Sequence, residues 1–236
     1  MIILCDMSRQ QALTTRNTGW NLNSKICDMY VTPVQPDNYG WLQVQLDNEY
    51  LNHIWDCVRT ASGESYKKYL IGHIEDSILL KDKKNKLFKG LLLKLINDYG
   101  NHWSHKHTYV GCEGVKLEYY LHDFWVNYQN QHEYNPIHSH GGMYSFAAWL
   151  KIPTDYDKQA LHYTARGANR PTNSAFTFEY TDIFGEIRTY IYKLDPSWQG
   201  TLLFFPSKLR HAVYPYYNCD EQRISISGNI SLRPKK

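Results

Sequence analysis

Beyond residue 115 the chain alternates apolar and polar side chains instead of spacing its apolar residues every three to four positions. That two-residue period restricts the fold more than any other feature. Segments 115–129, 143–152, 174–181, 187–194, 200–207, 211–217 and 222–232 all read as strands, bounded by Gly, Pro, Asn or Asp. TDIFGEI, between two of them, predicts a hairpin. Short strands in succession, with no helical pattern between them, predict an antiparallel barrel or a double-sheet jelly roll.

The N-terminal half is built differently. Residues 48–61 (NEYLNHIWDCVRTA) place Leu51, Ile54, Trp55 and Val58 at helical spacing. Residues 80–103 do the same with Leu87, Leu91, Leu92, Leu95 and Ile96, and Gly100 is the expected stop. Pro33 and Pro36 break residues 1–45 into short strands and loops. The chain is 42% hydrophobic, enough for a substantial core, and shows no repeat or low-complexity linker. It therefore reads as one domain over 1–236. Residues 1–114 form a helical and irregular support packed on one sheet, and 115–232 form the jelly-roll core.

Charge and cysteine usage exclude several classes. The net charge is only +3, and the lysines of 81–86 and the C-terminal RPKK lie on no periodic basic face with interleaved aromatics, which argues against a nucleic-acid partner. The 5 cysteines are scattered without a CxxC pair, as expected of reduced thiols in a cytoplasm. No apolar run approaches membrane-spanning length, and MIILCDMSRQ does not have the form of a signal peptide. A soluble, cytoplasmic protein is expected.

Within this frame NPIHSHGG (135–142) stands out. Side chains at i and i+2 share a strand face, so an extended segment would project His138 and His140 together, where two imidazoles can grip one metal ion. A third ligand must come from another strand, and His211, in FFPSKLRHAVYP, heads a later one. Next comes RISIS (223–227), which sets Arg223, Ser225 and Ser227 on one face and Ile224 and Ile226 on the other. If NCDE is a hairpin turn, this strand returns beside the one bearing His211. With the isoleucines packed between sheet and helices, the lumen receives a guanidinium that needs an anion such as a carboxylate. With the strand turned over, Arg223 lies in solvent.

Taken in order, HxH, the late histidine and Arg-x-Ser resemble the iron(II)- and 2-oxoglutarate-dependent oxygenases, above all prolyl-4-hydroxylase-like members and oxygenases of tailed bacteriophages. NPIHSHGGMYSFAAWLKIP, FPSKLRHAVYPYYNCDEQRISISGNI and LIGHIEDSILL carry the likeness, over roughly residues 65–232. It implies a double-stranded β-helix, Fe(II) held by His138, His140 and His211, and 2-oxoglutarate bound by Arg223 and Ser225. It also implies a cosubstrate contact from Tyr128, ten residues before His138. Trp149 reads as core packing, with a place beside the cosubstrate as the alternative. The activity implied is oxidative decarboxylation of 2-oxoglutarate by dioxygen, coupled to hydroxylation of an unidentified substrate, for which a protein or peptide residue is one class. In a phage the setting would be the host cytoplasm.

One departure is plain. The family's second ligand is usually a carboxylate, whereas here it is His140. Either three histidines form the site, or His140 lies behind it and Glu133, Asp155 or Asp157 swings in. Two rival readings keep the histidines: a cupin-like three-histidine dioxygenase that does not use 2-oxoglutarate, and a non-catalytic jelly-roll module that binds metal or sugar. The polar insertion 155–174, with Arg166 and Arg170, reads as either a lid or surface decoration.

Overall fold

A computed structural model of the chain describes residues 24–26, 29–31, 39–103 and 114–235. The chain divides into two compact units, 1–37 and 38–236. In the first, β1 (Ser24–Ile26) and β2 (Met29–Val31) pair antiparallel. Pro33 and Pro36 lie outside the described residues.

The second unit is a jelly roll of two antiparallel sheets. Its strands are β3 (Leu42–Gln45), β4 (Asp76–Leu79), β5 (Leu117–Gln129), β6 (Asn135–His138), β7 (Tyr144–Lys151), β8 (Ala175–Thr181), β9 (Ile187–Lys193), β10 (Thr201–Pro206), β11 (Arg210–Val213) and β12 (Arg223–Pro234). The larger sheet runs β3-β10-β7-β12-β5-β4 and the smaller β6-β11-β8-β9. Each alternating segment therefore forms a strand. The structure adds β4, within a stretch that has too few residues to show a period.

Helix α1 (Asn48–Arg59) starts where predicted because the Asp47 carboxylate accepts the Tyr50 N–H at 2.9 Å. The second predicted helix begins later than residue 80. A single π turn, Phe88–Leu92, leads into α2 (Leu93–Trp103), which runs through Gly100 without stopping. Its start is fixed by Asp82, whose carboxylate accepts the N–H groups of Leu87 (3.0 Å) and Phe88 (2.8 Å). His53 Nε2 reaches the same carboxylate at 2.8 Å, and the Cys57 sulfur lies 3.7 Å from that nitrogen. Burial raises the Cys57 thiol pKa. With both carboxylate oxygens taken up by backbone N–H groups, this cluster ties α1 to the start of the next helix. Among the described residues no helix is long and apolar enough to cross a membrane.

The larger sheet is covered on both faces, which is why β7 is buried almost throughout. Tyr144, Phe146, Ala148, Leu202, Phe204 and Ile226 pack with Ile54, Leu92 and Ile96 of the helical layer. Ala147, Trp149, Leu203 and Phe205, one residue out of phase, pack against Phe176, Phe178 and Tyr192 of the smaller sheet. The helices buttress one sheet, as expected, and the lumen lies between the sheets. The insertion 155–174 contributes a short helix, α3 (Tyr156–Ala160), and leaves Arg166 and Arg170 exposed.

One expected connection is different. β12 does not return beside β11; it lies in the larger sheet between β7 and β5. The link after β11 contains Pro215, which has no N–H to donate to a ladder, and the chain crosses there from one sheet to the other. Arg223 thus faces the histidines from the opposite wall of the lumen instead of from the neighbouring strand.

Candidate metal centre

His138 and His211 come together through strand pairing, since they are direct Cα partners between β6 and β11. His140 arrives by another route. β6 ends at His138, and His140 sits in the following loop, where its backbone N–H donates to Ser207 O at 2.8 Å. The loop turns at Gly142, whose φ of 88° and close approach to Ile230 O (2.7 Å from a Cβ built there) admit only glycine. Strand parity therefore does not account for the place of His140, which the loop brings beside the other two imidazoles.

The ring centroids are 4.3 Å apart for His138 and His211, 4.9 Å for His138 and His140, and 5.0 Å for His140 and His211. One nitrogen from each ring lies within 4.8 Å of the others. Two of the rings are oriented from behind: Nδ1 of His138 lies 2.7 Å from Pro136 O, and Nδ1 of His211 lies 3.0 Å from Leu209 O. With Nδ1–H as donor, the Nε2 lone pair of each is turned to the common point. Nε2 of His140 and of His211 stand 3.2 Å apart. Two nitrogens each ~2.1 Å from one ion, at roughly a right angle, would be ~3 Å apart. Burial lowers all three pKa values: His138 below the ordinary 6.5, His140 to about 4, and His211 well below, with the neighbouring histidines adding to the last two. The set is neutral at pH 7, the state a metal ligand needs.

No carboxylate joins it among the described residues. Glu133 accepts Glu75 N–H (3.1 Å) on one oxygen and Asn130 N–H (2.7 Å) on the other. Asp155 caps α3 through Lys158 N–H at 3.1 Å, and Asp157 is exposed in its first turn. The three donors present are all imidazole nitrogens, and they fit one divalent ion.

The same cavity is lined by Arg223, Ser225 and Ser227 of β12, by Trp125, Asn127 and Gln129 of β5, and by Trp149. Arg223 is 1% exposed. Its guanidinium donates to Ser174 O (3.2 Å), to the Ser174 hydroxyl and to Gln129 Oε1 (3.4 Å), and lies 5.0 Å over the Tyr216 ring. These partners are neutral, and its Nε has no hydrogen-bond partner among the described residues. Burial pulls its pKa down to about 10. A buried cation with an unused donor facing a cavity is the counterpart of a carboxylate ligand.

Tyr128 is not part of this wall. On β5 the odd-numbered residues face the lumen, and Tyr128 packs instead with the cluster on the helical side of the sheet. The offset of ten residues from His138 carries no information about strand face, and parity with Trp125 and Gln129 decides the matter. Conversely, Asn127, Gln129 and Trp125 escaped the sequence reading although the alternation of 115–129 held them. Ser174, at φ 63° and closing the 155–174 insertion, had no local signal.

Residues 123–229, which enclose every cavity residue named on β5, β7 and β12 and all three histidines, match the protein family described as "Putative 2OG-Fe(II) oxygenase". Similar solved structures include a 2OG-Fe(II) oxygenase family oxidoreductase from Burkholderia pseudomallei (12% identity, 81% of this chain and 84% of that one, TM-score 0.48). A Pseudomonas putida prolyl-4-hydroxylase is similar at 13% identity, 84% and 94% coverage and TM-score 0.44. The viral collagen prolyl hydroxylase of Paramecium Bursaria Chlorella virus-1, in a 2OG complex, is similar at 13% identity, 80% and 94% coverage and TM-score 0.45. No curated protein matches. The resemblance to iron(II)/2-oxoglutarate oxygenases read from the sequence holds, and with it Fe(II) and 2-oxoglutarate as the family's cofactor and cosubstrate.

Proposed function

From the family match over residues 123–229, we propose that this chain is an Fe(II)- and 2-oxoglutarate-dependent dioxygenase that hydroxylates a substrate, with His138, His140 and His211 as the metal ligands. The observation that carries the reading is Arg223: a fully buried guanidinium without an anionic partner among the described residues, aimed into the cavity that three neutral imidazoles close. Iron(II), with 2-oxoglutarate and dioxygen, supplies the oxidation that yields succinate, CO₂ and a hydroxylated product.

The protein's part is to bind and orient. The backbone carbonyls of Pro136 and Leu209 hold two imidazoles with their lone pairs inward. Arg223, with Ser225 beside it, receives the far carboxylate of the diacid, and Ser174 and Gln129 hold the guanidinium in place. The walls of Phe176, Phe205, Trp149 and Ile74 exclude water from the reacting end. Three neutral ligands, His138, His140 and His211, would leave a divalent ion its full double charge, so metal and diacid affinity should be linked. A cupin-like reaction without 2-oxoglutarate would give Arg223 nothing to do.

The test is 2-oxoglutarate turnover. Purified protein with Fe(II) should release succinate, and His211→Ala should reduce that release at least ~100-fold. Equal succinate in both proteins refutes the assignment.

A further inference from the structure

The cavity holds a second stranded donor, which the reading above does not use. Trp125 lines the cavity and is 3% exposed, and its buried indole Nε1 has no hydrogen-bond partner among the described residues. Filling this space does not need a donor. The indole stacks on Tyr66 at 4.4 Å with a 16° interplanar angle, and a phenyl ring would serve that contact without burying an unpaired N–H. Tyr66 also fixes the indole plane, so the donor is oriented before any ligand arrives.

Its place along the cavity says which end of a ligand it would meet. In the β12–β5 ladder Arg223 is opposite Gln129, Ser225 opposite Asn127 and Ser227 opposite Trp125. Trp125 therefore sits four residues along the strand from Arg223's level, ~13 Å of backbone. Its ring is 6.0 Å from that of His140. The two unpaired donors thus bracket the cavity, Arg223 at one end and Trp125 beside the imidazoles at the other.

We propose that the Trp125 indole N–H donates a hydrogen bond to an oxygen at the 2-oxo acid end of 2-oxoglutarate, making Trp125 a cosubstrate-binding residue that works with Arg223 from the opposite end. This rests on the oxygenase reading. The donor meets an anionic oxygen in a site shielded from water, where a single hydrogen bond to a charged group is worth about ten- to a hundredfold in affinity.

The experiment is calorimetric titration of Mn(II)-loaded protein with two ligands. 2-Oxoglutarate carries both ends of the proposed contact pattern, and 2-oxobutyrate carries only the 2-oxo acid. Trp125→Phe should leave Mn(II) affinity unchanged and weaken both ligands by the same factor, about ten- to a hundredfold. Arg223→Met should weaken 2-oxoglutarate alone. An unchanged Kd for both ligands in Trp125→Phe, or a loss confined to 2-oxoglutarate, overturns the Trp125 assignment and leaves the oxygenase reading standing. Failure of the wild-type protein to bind 2-oxoglutarate overturns both. Should Trp125→Phe not fold, nitrogen-15 spectra of the Zn(II)-loaded wild type decide. One indole N–H signal should move downfield on adding 2-oxoglutarate, and no movement of any of them overturns the proposal.

Discussion

Replacing Arg223 by methionine should separate stability from function in a way few site residues allow. The guanidinium is fully buried, and burial lowers its pKa from 12.5 to about 10. A folded-state value below the unfolded one means that folding disfavours the charged form. The charge is present in both states at pH 7, so the full cost applies there, ~3 kcal/mol at 1.36 kcal/mol per unit. Against it stand three hydrogen bonds to neutral acceptors, each worth ~1 kcal/mol. Methionine fills a similar volume, removes the cost and loses the bonds. The free protein should therefore unfold within ~2 kcal/mol of wild type, a Tm change of no more than ~8 °C for a chain of this size. Binding behaves differently. Removing one partner of a desolvated charge pair costs ~2–5 kcal/mol, so 2-oxoglutarate affinity should fall by about thirty- to several thousandfold. Thermal unfolding of the Mn(II) protein with and without millimolar 2-oxoglutarate reads both quantities. Wild type should gain several degrees from the ligand through mass action, and Arg223→Met should gain markedly less. Stabilisation of the variant by 2-oxoglutarate as large as that of wild type, or a loss of more than ~4 kcal/mol in the free variant, refutes this account of Arg223.

Two further outcomes follow from the geometry. In the metal-free protein, His140 keeps a pKa of about 4 against 6.5 when unfolded, and His138 and His211 shift the same way. Between those values the unfolded chain binds protons that the folded one refuses, so stability is complete above pH ~6.5 and drains away toward pH 4, by ~3 kcal/mol for His140 alone. Urea midpoints across that range check it, and a flat profile refutes it. Gly72→Ala would drive a Cβ to 2.3 Å from Tyr134 O and 2.6 Å from the Asn135 Cα. That backbone collision should cost ~1–3 kcal/mol and loosen 2-oxoglutarate binding, because Leu70 and Ile74 on either side line the cavity. Calorimetry of the variant should show a Tm several degrees lower, and an unchanged Tm would show that the loop yields freely.

Much of the site is legible in the amino-acid sequence, for specific reasons. Arg223, Ser225 and Ser227 face the lumen because Ile224 and Ile226 must face the other way, and a strand offers only two faces. The expectation for Tyr128 rests on its ten-residue offset from His138, a distance along the chain through a turn, which does not register which face a residue occupies. Gly100 did not end its helix because glycine permits a stop without requiring one, and the apolar face of Leu95, Ile96 and Tyr99 was already anchored in the core.

The amino-acid sequence by itself determined most of the strands beyond residue 115 and which side of each is apolar, since both follow from neighbours two positions apart. It also supplied the three imidazoles and the arginine. Only the tertiary structure decided that β12 crosses to the larger sheet, that His140 reaches the cluster from a loop, and that Trp125 and Ser174 meet Arg223's cavity at all. Those facts depend on which strands pair across distances of fifty to a hundred residues, and on whether a buried donor finds a partner. No local period encodes either of them.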